Sequence, residues 1–419
     1  MTSLELSQDA YVAAFFLFCI SFILFVYTMA GRKMKIRDLA RHERKWGMIS
    51  FTVTAIGFGC QLVYFISRWI GAGHIPVSNM YEFISFLSMM IIGAFVIMYL
   101  IYRSVVLGAF AVPLAVIIMA YASVFPSEVQ PLIPQLDSVW LKIHVTLAAL
   151  GYAFFAVAFV AALLYLLRTV RWNSANDRRS QRWLEFTMGC IIVVIGFIAV
   201  VFSFRAADYE VIIDQKVETV ENGQINSKIE SVTYTMPPLI APYNSEESSL
   251  EAVPSFIGMK LPLMEAPGWM KGVQAGRKLN TVIWSLFAGL VLYAAIRLIL
   301  RKPIAKAISP LVQGLDPDLV DEISYRSIAI GFPVFTLGAL VFAMIWAQIA
   351  WSRFWGWDPK EVWALITWLY YSAYLHLRLS RSWHGAKSSW LAVFGLLIVM
   401  FTLVGVNLVI SGLHSYAGV

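Results

Sequence analysis

The run VWLKIHVTLAALGYAFFAVAFVAALLYLLR, residues 139–168, decides the class of fold. A helix rising about 1.5 Å per residue crosses the roughly 30 Å hydrocarbon core of a bilayer in about 20 residues, and this run is longer than that. Comparable stretches recur on both sides of it, at about 9–31, 47–70, 81–102, 105–125, 185–204, 280–300, 327–348, 361–380 and 389–412. The composition agrees, with 59% hydrophobic residues, 15% aromatics and only 14% charged residues, far from the balance of a soluble domain. The expected fold is an all-α polytopic membrane protein of about ten transmembrane helices. The first apolar segment, Tyr11 to Ala30, lacks the basic leader of a signal peptide and is read as a retained span.

Charge orients the bundle, because Lys and Arg in short loops stay on the cytoplasmic side. Alternate connections, beginning with the dense run from Arg32 to Lys45, carry 21 basic residues, against four (Arg68, Lys142, Arg353 and Lys360) on the opposite side. Both termini are therefore expected outside. The long polar segment 205–279 falls outside too, and its first half alternates like a strand pair, Tyr209–Val220 and Ile225–Met236, around an Asn222-Gly223 turn. Its second half is broken by Pro237, Pro238, Pro242, Pro254 and Pro262. This divides the chain into spans 1–204, an extracytoplasmic domain 205–279, and spans 280–419 with a Trp-rich loop at 346–368. The net charge of +7 is accounted for by cytoplasmic loops facing anionic lipid, so no nucleic-acid partner is implied. Cys19, Cys60 and Cys190 all lie in expected spans, and no CxxC or CxxCH occurs, so the chain is neither a thioredoxin-like reductase nor itself a c-type cytochrome.

The chemistry concentrates in WAQIAWSRFWGWDPKEVWALITW, Trp346–Trp368, which holds six of the fifteen tryptophans. One reading is an interfacial aromatic belt. A belt does not need Trp355, Gly356, Trp357, Asp358 and Pro359 in succession, however, and that order puts several rings on one short loop. Asp358-Pro359 suits the turn that starts the next helix, with Glu361 in its first turn. Arg353 and Lys360 flank the aromatic face, placed to meet a planar apolar ligand that carries carboxylates. His144 and His414 fall on the same outer side, on different helices, and two axial ligands for a haem iron fit that arrangement. The alternative for each is a hydrogen-bonded interfacial histidine. His376 lies about 22 Å into its span, where an ionisable group points to function, although packing against Tyr370, Tyr371 or Tyr374 is the other reading. His74 sits in GHIPVSNMYEF, where Asn79 and Glu82 resemble a helix-capping box, and is read as structural or site-associated. His42 and His384 are read as solvated loop residues.

These motifs resemble the tryptophan-rich "WWD" haem-handling proteins, and within them the CcsA (ResC) type of System II cytochrome c synthase subunit. WGWDPKEVWALITW (355–368) is similar to the family's central motif, YLHLR (374–378) to its membrane histidine, and NLVISGLHSY (407–416) to its second external histidine. WLKIHVTLAALGYAFF (140–155) resembles the region of the first external histidine. The resemblance implies His144 and His414 as external ligands of a non-covalent haem b, and His376 as a membrane haem ligand. It implies a haem platform that includes Trp351, Trp355, Trp357, Asp358 and Trp363. It also implies a ResB/CcsB-like membrane partner, apocytochrome c, a thiol-reducing thioredoxin-like protein, and a bacterial plasma-membrane location with the active site on the outer face. A System I haem lyase and a haem transporter without synthase activity are the other expectations. The chain departs from the pattern at Ala347-Gln348-Ile349-Ala350-Trp351-Ser352, where relatives often carry an acid, and in the stretch 185–300, which looks additional to shorter members.

Overall fold

A computed structural model describes residues 2–31, 38–131, 137–221, 224–268, 270, 272 and 274–406. Five long helices open the chain: α1 (Ser3–Ala30), α2 (Leu39–Ala72), α3 (Met80–Tyr102), α4 (Val105–Ala122) and α5 (Val139–Thr169). After α6 (Arg178–Ala206) come two strands, β1 (Val211–Glu221) and β2 (Gln224–Tyr234). Short pieces follow, β3 (Ile240–Ala241), α7 (Glu247–Glu251) and β4 (Met264–Glu265), and then α8 (Ala275–Leu300) and α9 (Ile304–Ile308). The chain continues through α10 (Pro317–Phe335), a π-helical segment Thr336–Phe342, α11 (Ala343–Trp351), α12 (Pro359–Ser380), α13 (Ala386–Met400) and a second π-helical segment Phe401–Gly405. Among the described residues nine helices are long and apolar enough to cross a membrane. At the tenth expected span, 361–380, the structure has a helix, the 22 residues of α12, which is not among those nine.

Helix ends differ from the apolar windows for a local reason. The window at 47–70 is only part of α2, because the Asp38 carboxylate accepts from the Arg41 amide at 2.9 Å and starts the helix eight residues before the apolar run. His42, read as solvated, is buried there against the Tyr27 and Trp46 rings. Likewise α10, the π segment and α11 form one continuous stretch, Pro317–Trp351, whose polar start lies outside the expected 327–348.

The chain divides into two compact units, Met1–Leu184 with Ala305–Val419, and Glu185–Ile304. In the larger, α5 is the axis: 89% of its apolar window is buried, and alanines recur along it. Lipid is as apolar as leucine, so helices in a membrane associate through close packing rather than through water exclusion, and small residues permit it. Gly151 of α5 takes Phe335 against its backbone, and Gly331 of α10 takes Phe154. Gly57 of α2 takes Phe18 of α1, where Ser21 also bonds Thr54 at 2.6 Å. Among the described residues two ion pairs are buried here: Arg68 with Glu82 at 2.8 Å, and Arg378 with Asp321, also at 2.8 Å.

In the smaller unit, α6 and α8 pack backbone to backbone at Gly196 and Gly289. The strands pair antiparallel in the register Val211↔Tyr234, with Glu221↔Gln224 at the end. That is the hairpin read from the alternation, although its Asn222-Gly223 turn lies outside the described residues. Ile213, Val232, Tyr234, Val253 and Leu261 form its core.

Candidate functional site

The first part of the site is built by a glycine. A helix whose hydrogen bonds run i→i+5 is wider than an α-helix, and such segments occur mostly at functional places. In Thr336–Phe342 the Gly338 backbone lies directly against Leu147 and Ala148 of α5, where any side chain would collide. That contact brings the Gly338 carbonyl within 2.9 Å of His144 Nδ1. A carbonyl only accepts, so Nδ1 carries the proton, and in the neutral ring the lone pair is on Nε2. This is how ligating histidines are commonly oriented, the second ring nitrogen being held by a backbone carbonyl or carboxylate. The imidazole lies nearly parallel to the Trp346 ring, centroids 5.6 Å apart at 13°, and Trp351 meets Trp346 edge-on at 4.8 Å.

The second part is the loop between α11 and α12. Ser352 (φ 55°) ends α11 in the left-handed region, and Trp357 (φ 57°) repeats it just before α12. A bulky non-glycine residue there is strained, and such strain gathers at ligand clamps and active sites. Asp358 caps α12 in a reciprocal box with Glu361, whose Oε2 accepts from the amides of Gly356 (2.7 Å) and Asp358 (3.2 Å). Glu361 thus ties the loop down by its backbone and leaves its rings to face outward. Trp357 is 70% exposed, Phe354 61%, and Trp355 stands edge-on to Trp357 at 6.0 Å. The Trp355 indole N–H is buried and has no hydrogen-bond acceptor. Arg353 is exposed, with its guanidinium folded over Gly356. Lys360 lies half-buried in the first turn of α12.

The third part is the pinning of α12. Trp368 donates its indole N–H to Thr336 Oγ1 at 3.0 Å, Thr367 meets Thr402 at 3.1 Å, and Trp363 packs on Phe401 at 4.3 Å. Thr367, Tyr371, Tyr374 and Arg378 form the buried face, and Arg378 grips Asp321 with both terminal nitrogens at 2.8 Å. His376 is two residues from Tyr374 and from Arg378, so at about 100° per residue it points away from that face, and it is exposed. Its Nε2 lies 3.2 Å from Ser380 Oγ.

The structure therefore joins His144 to Trp351 through Trp346, and gathers Arg353, Trp355, Trp357, Asp358 and Lys360 on one capped loop. His414 lies outside the described residues. His74 is buried, with Nδ1 2.9 Å from the Ile75 carbonyl and Nε2 3.0 Å from that of Gln130, so backbone groups face both of its nitrogens. Asn79 caps α3 as read, accepting from the Glu82 amide at 2.9 Å, but the Glu82 carboxylate serves Ser78 and Arg68 instead of closing a box. Gly338, Thr336 and the stacking role of Trp346 were not singled out from sequence. A glycine inside an apolar run, far from any helix end, was the available signal for the first.

Comparison with known proteins decides the family. The model of the family described as "Cytochrome C assembly protein" matches residues 77–205 and 281–414. The chain belongs to that family. It is 31% identical over 369 residues to the cytochrome c biogenesis protein CcsA of Crocosphaera subtropica, covering 87% of this chain and 86% of the relative. It is 32% identical over 360 residues to the protein of that name from Trichormus variabilis, covering 84% and 83%. The Nostoc punctiforme protein of that name is 30% identical over 366 residues, covering 86% of each. The family match takes in α6 as far as residue 205 and α8 from residue 281, so what lies outside it in the middle of the chain is 206–280. The chain is accordingly a multi-pass membrane protein of the cytochrome c assembly family, of the CcsA type.

Proposed function

We propose that this member of the cytochrome c assembly family is the haem-transporting and haem-presenting subunit of a cytochrome c synthase. The observation that carries the reading is the hydrogen bond from His144 Nδ1 to the Gly338 carbonyl, with the imidazole stacked on Trp346 beside the tryptophan loop. Haem is the substrate, carried without a covalent bond. His144 supplies one axial nitrogen, and the resemblance assigns the other to His414. The exposed ring of Trp357 and the half-buried ring of Trp355 beside it suit the porphyrin face, and Arg353 and Lys360 suit its propionates. His376, on the exposed face of α12, is the ligand of an earlier haem position in the membrane, completed by a ResB/CcsB-like partner.

In the reaction, each thiol of an apocytochrome Cys-x-x-Cys-His adds across one haem vinyl group. The sulfur bonds to one vinyl carbon, the thiol hydrogen ends on the other, and no electrons are lost. A thioredoxin-like protein keeps the thiols reduced. This chain contributes orientation of the vinyl groups and axial ligation that governs the iron's redox state, so no side chain need act as a nucleophile. Holding reactants in one geometry removes much of the entropic barrier.

The test is to produce the chain with its partner and a reporter apocytochrome in bacterial plasma membranes. The purified complex is expected to show a haem spectrum, to lose haem from this chain on denaturation, and to leave haem bound to the reporter. His144→Ala is expected to abolish most reporter maturation, with partial rescue by added imidazole. Covalent haem on this chain, a colourless complex, or normal maturation by His144→Ala would each overturn the reading.

A further inference from the structure

The polar segment between α6 and α8 does not stand clear of the bilayer. In α8, Lys278 and Arg297 bracket an apolar stretch of about 27 Å, close to the thickness of the hydrocarbon core. Trp284 is six residues inward of Lys278, about 9 Å below that boundary. Yet the Trp284 indole N–H donates to the Pro237 carbonyl at 2.8 Å, and Asn280 bonds the Leu239 amide at 2.8 Å and the Pro237 carbonyl at 3.1 Å. Non-helical backbone is tolerated at such depth only when its polar groups are satisfied, and Asn280 and Trp284 satisfy these. Phe256 reaches the same level, packing on Trp284 and Phe204 with both centroids 5.8 Å away.

Beyond Phe256 the chain turns back at once, with Phe256 and Met259 exchanging amide-to-carbonyl bonds of 3.0 and 2.9 Å. The two residues at the tip, Ile257 (φ 51°) and Gly258 (φ 77°), are both left-handed. In water such a tip favours Asn-Gly or Asp-Gly, and a β-branched residue there is an outlier. Here Ile257 is 82% exposed, and Met259, Leu263 and Met264 are exposed beside it, with Lys260 among them. An isoleucine that is strained and bare at the level of two membrane helices' aromatic rings matches lipid rather than water. Lys260 can extend its ammonium to headgroup phosphates.

We propose that the turn 256–264 is an interfacial anchor whose apolar tip, Ile257 with Met259, Leu263 and Met264, inserts into the bilayer that α6 and α8 span. The partner surface is the headgroup–acyl boundary, where apolar faces of interfacial segments bury about 5–10 Å deep. The anchor holds the β1–β2 hairpin at a fixed height over the membrane.

The test uses the full chain with Cys19, Cys60 and Cys190 replaced by Ala, reconstituted in phosphatidylethanolamine–phosphatidylglycerol vesicles. A nitroxide is attached at Ile257→Cys, and separately at Leu263→Cys and at Lys228→Cys on the exposed hairpin. Collision with oxygen, which concentrates in lipid, is compared with collision with a water-soluble nickel chelate. The oxygen-to-nickel ratio at 257 and 263 is expected to be several-fold higher than at 228. A ratio at 257 equal to that at 228 would put the tip in water. Low collision with both reagents would put it under protein. Either result overturns the proposal.

Discussion

Gly338→Ala probes the site without touching a side chain that could meet haem. The new methyl would meet the backbone of Leu147 and Ala148, which cannot rotate away as a side chain would. Overpacking of this kind costs about 1–3 kcal/mol. It also pushes the π segment off α5, and with it the carbonyl that holds His144 Nδ1 at 2.9 Å. Loss of one neutral buried hydrogen bond adds about 1 kcal/mol, equivalent to about fivefold in the fraction of correctly oriented imidazole. Two other glycines separate these effects. Gly331→Ala overpacks α5 against Phe154 and the Gly151 carbonyl but leaves the His144 bond alone. Gly356→Ala meets only the Arg353 guanidinium, the far end of a flexible chain. Thermal unfolding of purified protein and yield of reporter cytochrome c are the two readouts. Gly338→Ala is expected to lower both, Gly331→Ala mainly the first, and Gly356→Ala, which displaces the Arg353 guanidinium, mainly the second. If Gly338→Ala matches Gly331→Ala in stability but keeps full yield and an unchanged haem spectrum, the Gly338 carbonyl does not position His144.

Trp357 is largely exposed, so Trp357→Ala should change stability by less than about 0.5 kcal/mol while weakening haem retention in the purified complex; an unchanged haem content would show that this ring is not part of the platform. Arg378→Leu or Asp321→Asn should each destabilise by about 3 kcal/mol, because each strands a buried partner, whereas replacing both by apolar residues should recover much of the loss in thermal unfolding. His376→Ala, on the opposite face from that ion pair, should leave unfolding nearly unchanged but reduce haem reaching the tryptophan loop; full haem content with normal cytochrome yield would make it a surface histidine without a role in delivery.

Apolarity and capping chemistry were legible; tertiary geometry was not. The long apolar runs gave the spans because no other structure satisfies a backbone in lipid, and Asp358-Pro359 with Glu361 gave the start of α12 because its capping box is local. Apolar windows stop where the bilayer stops, though, while helices stop where a cap or breaker stops them. That is why α2 runs back to Leu39 and buries His42 against Tyr27 and Trp46. The Arg378–Asp321 pair joins residues 57 apart, and in sequence Arg378 reads as one more cytoplasmic charge. The π segments are marked in sequence by no more than Gly338 and Gly405 inside apolar runs, and their contacts with α5 and α12 join residues far apart in the chain.

Those contacts are why α12 matters beyond its tryptophans. One face of the helix touches both π segments within two residues, through Trp368 to Thr336 and Thr367 to Thr402. The first segment presents the carbonyl that orients His144. The second ends at Gly405, shortly before the described residues stop. At its N-terminal end the same helix anchors the tryptophan loop through Glu361, and toward its C-terminal end Arg378 locks its roll on Asp321. A rotation of α12 that moved His376 would have to break the buried ion pair, and would shift the loop and both threonine contacts together. The exposed histidine and the tryptophan loop are therefore carried on one helix about 33 Å long, held at both ends.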